Sequence, residues 1–419
     1  MIPFEQALTQ LLASARPLGA ERVSLDDAAG RVLAEDIVAP DALPPFDHSS
    51  MDGYALASAD LTGPPPHSLP VRGESAAGGP LPSLDPGAAC RIFTGARLPD
   101  GADTIVPQED TERAGDTLTL RDTPKPGTWI RRRGADLDAG TVALSRGTRL
   151  TPGKVALAAA LDRPQLLVAR RPLLTLLCSG DELRSPGIPG PKGSIPESNG
   201  YFVAAAARAA GAIVRIAPFV PDDAAAAIAA AAEALRGADL VVTIGGVSVG
   251  DRDVMRPALE AAGVTLDFWR VAIKPGKPLC VGRAATPSGA PVHVLGLPGN
   301  PASAALTFTL FGLPLLRALQ GDAAALPPRL SVRVAGTPTG TPAGVLRRQP
   351  GRAEFLRARL DVDTSDGSHA GELVARILPN QASGAVTSFA EADALVLVPA
   401  EHDRVDDGAR LWAIRLTDA

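Results

Sequence analysis

Apolar positions near the amino terminus fall at helical spacing. Phe4, Leu8, Leu11, Leu12 and Ala15 share one face, which predicts an amphipathic helix over residues 3–16. The next stretch, SLDDAAGRVLAEDI, predicts a second helix with Ser24 as N-cap and Gly30 as C-cap. From residue 38 to 130 the texture changes. Short β-type runs such as AACRIFTG and TIVPQ alternate with Pro/Gly clusters such as LTGPPPHSLP and AAGGPLPSLDPG, the pattern of a small β-rich domain. TPGKVALAAAL then offers Thr151 as N-cap and Pro152 in the first helical turn.

Residues 172–320 alternate regularly. PLLTLLCSG, AIVRIAPFV and ADLVVTIGG read as strands, separated by helices over 198–210 and 222–236 and followed by one over 253–262. VTLDFWRVAI, PLCVGR and PVHVLGL are strands, and PASAALTFTLFGLPLLRAL is a long final helix. This alternation predicts a mostly parallel α/β sheet. Beyond Gly321 the β pattern returns in RLSVRVAG, EFLRARL, ELVARIL, ALVLVPA and RLWAIRL, which predicts a separate barrel or sandwich.

Composition narrows the function classes. A chain of 419 residues is too long for one ordinary core, and 45 % hydrophobic with 21 % charged residues is a globular balance. A net charge of −5 gives no support to a nucleic-acid partner. The three scattered cysteines, Cys90, Cys178 and Cys280, suggest a reducing compartment and no structural zinc. The amino terminus carries Glu5 and no basic run, unlike a signal peptide, and no apolar run is expected to be long enough to span a bilayer. A cytoplasmic protein without membrane attachment is expected.

Ligands of an open α/β sheet sit at the carboxyl ends of its strands. Four loops are predicted there. CSGDEL brings Asp181 and Glu182; GGVSVGDRD brings Gly245, Gly246, Ser248, Asp251 and Asp253; AIKPGKP brings Lys274 and Lys277; GLPGNPAS places Pro298, Gly299, Asn300 and Pro301 at the start of the last helix. Lysines, backbone amides and carboxylates around one pocket suit a phosphorylated anion with a divalent cation. The G-x-S-x-G around Ser248 also matches a hydrolase nucleophile elbow, which needs an acid and then a histidine later in the chain. His293, His369 and His402 satisfy that order, but the reading leaves the lysine loop and PGNP without a role. Each loop alone is better explained by a tight turn, a cap or a solvated face; four at one sheet edge reverse that balance and favour a site.

Three further clusters are polar. FDHSSMDGYAL holds Asp47, His48 and Asp52; RIFTGARLPDGADTIVPQE holds Thr94 and Glu109; IRRRGADL holds Arg131, Arg132, Arg133 and Asp136. The first is weak evidence for a metal site.

SSMDGYA, RIFTGA, RRRGADL, SGDEL, GGVSVGDRD, AIKPGKP and LPGNPASA, in this order, resemble the molybdopterin molybdenumtransferase family, the MoeA proteins and the gephyrin E-domain. The resemblance covers nearly the whole chain. It implies a multidomain α/β plus β protein: a discontinuous N-terminal linker domain (1–43 and 132–170), an inserted β-rich domain (44–131), a molybdopterin-adenylyltransferase-like α/β domain (171–320) and a C-terminal β-barrel (325–419). It implies insertion of molybdate into adenylylated molybdopterin with release of AMP and a need for Mg²⁺. A homodimer is implied, with the β-rich domain of one subunit facing the α/β pocket of the other, and transient contact with molybdopterin adenylyltransferase and molybdopterin synthase. Carried onto matching positions, Asp52, Asp136, Glu182, Asp222 and Asp253 become catalytic candidates, with Glu182 and Asp253 holding the cation. Thr94, Gly245, Gly246, Ser248, Lys274, Lys277, Pro298, Gly299, Asn300 and Pro301 become substrate contacts. EFLRARL and NQASGAV match family stretches near molybdate and add Arg357 and Ser383. Asp222 begins the predicted 222–236 helix, so capping competes with catalysis there. Two other activities share the architecture: adenylylation of molybdopterin by ATP, and a gephyrin-like scaffold.

Overall fold

A computed structural model of the chain describes residues 1–246, 254–286, 289–335, 345–364 and 369–417; Ser248 and Asp253 lie outside them. Two compact units result. One comprises Met1–Ala34, Gly147–Thr151 and Gln165–Ala419, the other Glu35–Arg146 and Pro152–Pro164.

The main elements of the first unit, in chain order, are α1 (Phe4–Ser14), β1 (Leu173–Cys178), α2 (Asn199–Ala209), β2 (Ile213–Ile216), α3 (Ala224–Ala234), β3 (Leu240–Ile244), α4 (Met255–Ala261), β4 (Val264–Trp269), β5 (Ile273–Lys274), β6 (Cys280–Ala284), β7 (Val292–Leu297), α5 (Pro301–Thr307), α6 (Leu313–Leu319), β8 (Arg329–Ala335), β9 (Ala353–Val362), β10 (Leu373–Ile377), β11 (Ala394–Val398) and β12 (Arg410–Arg415), with further short strands and one short helix, Val386–Ala390, between them. The α/β sheet runs β2-β1-β3-β7-β6-β4. Its first four strands are parallel, and β6 and β4 are antiparallel additions. β3 and β7 are buried along their whole length, as central strands covered on both faces must be, and this is why their sequences are apolar without alternation. Ala227, Ala231 and Ala234 form the buried stripe of α3, at i, i+4 and i+7.

α5 and α6 are joined through a π-turn, Phe308–Gly312. The continuous helix Pro301–Leu319 is long and apolar enough to cross a membrane, but 89 % of its apolar window is buried within the protein. It is the central core helix, and Phe4 of α1 packs edge-on against Phe311 and Phe355. Each large apolar side chain buried there contributes about 1.5–3 kcal/mol. The π-turn leaves no room at Gly312, where a Cβ would come within 2.3 Å of the Phe308 ring.

Five strands close into the C-terminal barrel, β9-β10-β8-β12-β11 and back to β9. β9 makes closure possible by its length. Glu354–Ala358 pair with β11, and Ala358–Val362 pair with β10. β5, from the lysine loop, adds to the free edge of β9 in parallel, with Lys274 opposite Glu354.

The expected helix after Ser24 does not form. Ala20–Ser24 is a strand paired antiparallel with Gln165–Ala169, and residues 25–30 make only hydrogen-bonded turns. Long-range partners outbid local propensity here: the Gly30 amide bonds the Leu150 carbonyl at 2.8 Å, and the buried Arg31 side chain donates to Ala169 O at 2.8 Å and to Glu21.

The second unit is built on a six-stranded sheet ordered Thr104–Pro107, Gly53–Leu56, Ala89–Ile92, His67–Ser75, Thr117–Leu120 and Thr111–Ala114. Tyr54, Leu56, Leu69, Val106, Leu118 and Leu120 fill one face. A helix, Pro152–Ala160, starts on the proline, as expected.

Candidate functional site

Register aligns three strand ends. Cys178 pairs with Ile244, and Ile244 with Leu297, so Ser179, Gly245 and Pro298 emerge side by side at the carboxyl edge. Backbone bonds run across them, from Ser179 N to Ile244 O (3.0 Å) and from Gly245 N to Leu297 O (3.2 Å). The glycines here are required twice over. Gly245 and Gly246 have φ of +85° and +63°, and a Cβ would lie 2.7 Å from Ser179 O and 2.8 Å from the Met255 side chain respectively.

These loops wall a cavity of about 500 Å³. Glu182, Asp222, Gly245, Gly246, Pro298, Gly299, Asn300 and Pro301 all line it, so eight sequence-nominated residues converge. Asp222 does not cap the helix. Asp223 is the N-cap, accepting Ala226 N at 2.8 Å, and α3 begins at Ala224. The Asp222 amide instead bonds Asp181 Oδ1 at 3.1 Å, which ties the two acidic loops together.

Lys274, Lys277, Arg357 and Ser383 are not on the cavity wall, although Pro278, beside Lys277, is. Ser383 reaches the PGNP loop: its carbonyl accepts the Ala302 amide at 2.9 Å, and its hydroxyl meets Asn300 Nδ2 at 3.3 Å. Asn300 therefore spends its side chain on the barrel loop and does not cap α5. Arg357 is fully buried. Its Nη2 donates to the carbonyls of Asn380 and Ala382 at 3.2 and 3.1 Å, while Nε and Nη1 have no hydrogen-bond partner among the described residues. Burial holds its pKa below the ordinary arginine value. A buried guanidinium with unmet donors is costly unless an anion meets it.

Five wall residues, at 195–199, lie in SIPESNG, a stretch from which the sequence nominated no site residue, and two of them have clear roles. Asn199 donates from Nδ2 to Gly299 O at 2.7 Å and so fixes the PGNP loop. Glu197 is buried and accepts the Gly200 amide at 2.6 Å at the start of α2. An acid and an amide straddling a helix start were the available clue.

In the second unit Asp52 and Thr94 meet at one end of the sheet. Asp52 Oδ1 accepts the Thr94 amide at 2.8 Å and its hydroxyl at 2.7 Å, and these bonds, the amide's first, hold the carboxyl below the usual range. Gly53 allows this arrangement, because a Cβ there would lie 2.0 Å from Val106 O. The arginine run is a set of clamps. Arg131 grips both oxygens of Asp136 at 2.5 and 2.6 Å, Arg132 meets Asp47 at 2.6 Å, and Arg133 meets Asp41. Among the described residues no group of three or more His, Cys, Asp or Glu side chains converges to hold a metal. Mg²⁺ does not require one, since it takes one or two carboxylates together with water and substrate phosphate oxygens. Glu182, a hard oxygen donor on the cavity wall, fits that role.

Comparison with known proteins covers the chain end to end. Three family models match it: the MoeA N-terminal region (domain I and II) over residues 2–161, the probable molybdopterin binding domain over 175–318, and the MoeA C-terminal region (domain IV) over 343–414. Molybdopterin molybdenumtransferase 2 of Mycobacterium tuberculosis is 36 % identical over 99 % of this chain and 98 % of its own length. Molybdopterin molybdenumtransferase of Haemophilus influenzae is 34 % identical over 97 % of each. The crystal structure of the molybdopterin biosynthesis moeA protein from Pyrococcus horikoshii OT3 superposes with a TM-score of 0.82 at 26 % identity, covering 99 % of this chain and 100 % of that one. With full-length relatives above 30 % identity and the same fold, the chain belongs to the molybdopterin molybdenumtransferase family.

Proposed function

We propose that this protein is a molybdopterin molybdenumtransferase that inserts molybdate into adenylylated molybdopterin, releasing AMP in a Mg²⁺-dependent reaction. The observation that carries the reading is the cavity at the carboxyl edge, where backbone without side chains (Gly245, Gly246, Gly299) and carboxylates (Glu182, Asp222) face one space. Bare backbone lets phosphate oxygens approach amides closely, as at other strand-to-helix phosphate loops. Breaking a phosphoanhydride needs positioning and charge neutralisation more than a covalent nucleophile. Glu182 and, from the family resemblance, Asp253 would hold Mg²⁺, which would neutralise charge on the phosphate oxygens. Lys274, Lys277 and Arg357 bring donors suited to the tetrahedral molybdate oxyanion. Asp52, fixed by Thr94, stays ionised at neutral pH and serves as the anionic group of the second unit. The family resemblance also supports a cytoplasmic homodimer.

Purified protein supplied with adenylylated molybdopterin, molybdate and Mg²⁺ should release AMP and form active cofactor. Asp52→Asn should keep its fold and slow turnover. Bound substrate with no AMP released would overturn the reading, and pyrophosphate formed from ATP and molybdopterin would replace it with adenylylation.

A further inference from the structure

Lys274 stands about half exposed on β5, and its ammonium meets Glu354 Oε1 at 2.9 Å. The two residues are register partners between β5 and β9, so backbone pairing and the ion pair act at one point. The loop behind Lys274 has little freedom: Gly276 has φ +104°, and a Cβ there would lie 2.6 Å from Thr307 Cγ2.

Glu354 is unusual for a strand residue, a carboxylate whose side chain is only 9 % exposed. Its second oxygen is 3.1 Å from Arg348 Nε, and the Arg348 side chain is 3 % exposed. Arg348 sends its remaining donors to the carbonyls of Pro399 (2.8 Å), His402 and Arg352. Arg348 therefore neutralises Glu354 inside the barrel, and a buried carboxylate so paired needs no further cation. Arg357 also feels the charge of Glu354, so three cations surround one anion, and the excess positive charge includes that of the half-exposed ammonium. That ammonium has three donors, of which Glu354 engages one.

We propose that Glu354 is a positioning residue for molybdenum transfer: it holds the Lys274 ammonium in place for the substrate oxyanion, while Arg348 keeps Glu354 from cancelling the lysine's charge. A free lysine stem has several rotors to fix on binding; one fixed beforehand spares that entropy from the binding step. The inference rests on the reading of Lys274 as an oxyanion donor.

The test uses the full chain and measures AMP release against molybdate concentration in wild type, Lys274→Ala, Glu354→Gln, Glu354→Asp and the Lys274→Ala/Glu354→Gln double variant. Glu354→Gln should raise KM for molybdate about tenfold, the size of one charge-assisted hydrogen bond, with a smaller change in kcat. Glu354→Asp keeps the charge for Arg348 but withdraws by one methylene, so it should be intermediate; it also serves if the glutamine variant folds poorly. In the double variant the glutamine should add nothing to the loss caused by Lys274→Ala. Additive losses, or an unchanged KM in both Glu354 variants while Lys274→Ala raises it, would overturn the role of Glu354. An unchanged KM in Lys274→Ala would overturn the lysine reading beneath it, and the inference with it.

Discussion

Gln381 pairs its side-chain amide with both backbone polar groups of Arg357: Oε1 accepts the Arg357 amide at 3.0 Å, and Nε2 donates to the Arg357 carbonyl at 2.9 Å. A glutamine thus takes the place of a neighbouring strand at a point where β9 passes from one partner to another. The same loop offers the Asn380 and Ala382 carbonyls to Arg357 Nη2, so the guanidinium is fixed from its backbone outward with Nε and Nη1 left unmet.

Arg357 should then be a ligand group that costs stability. Arg357→Met keeps the length and removes the charge; it should retain or gain stability, because a buried ion without its partner is worse than an apolar side chain. Molybdate should raise the melting temperature of wild type but not of Arg357→Met, whose turnover should fall at least about tenfold, one lost charge-assisted contact. Gln381→Ala should do the opposite to stability, losing about 1–3 kcal/mol for the unmet Arg357 amide, while the Arg357 carbonyl keeps the Leu378 amide at 2.9 Å. Thermal unfolding with and without molybdate reads both. A strongly destabilised Arg357→Met that still responds to molybdate would make the arginine structural.

Asp222 and Asp223 are adjacent carboxylates with separate duties. Asp223 caps α3 and Asp222 lines the cavity. Asp223→Ala should cost about 1 kcal/mol of stability and leave AMP release close to wild type. Asp222→Asn should leave the melting temperature within about 1 °C, as for a surface change away from a cap, and slow AMP release. Equal effects of the two changes on both readouts would remove Asp222 from the reaction.

The same pair shows where sequence reasoning stops. Either aspartate satisfies the rule for a helix start, and only the backbone decides which one holds extended φ and ψ; Asp223 does, at −118° and 130°. The strands Leu173–Cys178, Leu240–Ile244 and Val292–Leu297 were legible because both faces of the sheet are covered there, which imposes apolar runs, and the glycine loops were legible because bare backbone leaves a mark in composition. The 25–30 turn was not, since the partners of Gly30 and of Arg31 just after it, Leu150 and Ala169, lie far along the chain and local propensity favours helix. Glu354 left half a signal. An acid amid EFLRARL stands out, but its purpose depends on Lys274, brought alongside only when β5 joins the barrel. Closure of the barrel through a single strand with two partners, in β9, has no periodicity to announce it.

His293 predicts a pH dependence unrelated to catalysis. It lies on β7, 2 % exposed, with Nδ1 lacking a hydrogen-bond partner among the described residues. Burial, then repulsion from Arg283, pushes its pKa down from the ordinary 6.5 to about 4, against smaller opposing effects of Asp267 and Asp239. As pH falls through 6.5 the unfolded chain takes up the proton, while the folded protein declines it until about 4. The unfolded state therefore binds more protons across that window, so stability present in full above pH 6.5 is lost as pH falls towards 4 and levels off below. The shift corresponds to a loss of about 3 kcal/mol over the window. His293→Leu removes the titrating group and should flatten that part of the profile. Denaturant unfolding at pH 7, 5.5 and 4.5 would show the two proteins' stabilities diverging as the pH falls, with the leucine variant losing less; parallel profiles would mean that His293 carries its proton as readily folded as unfolded.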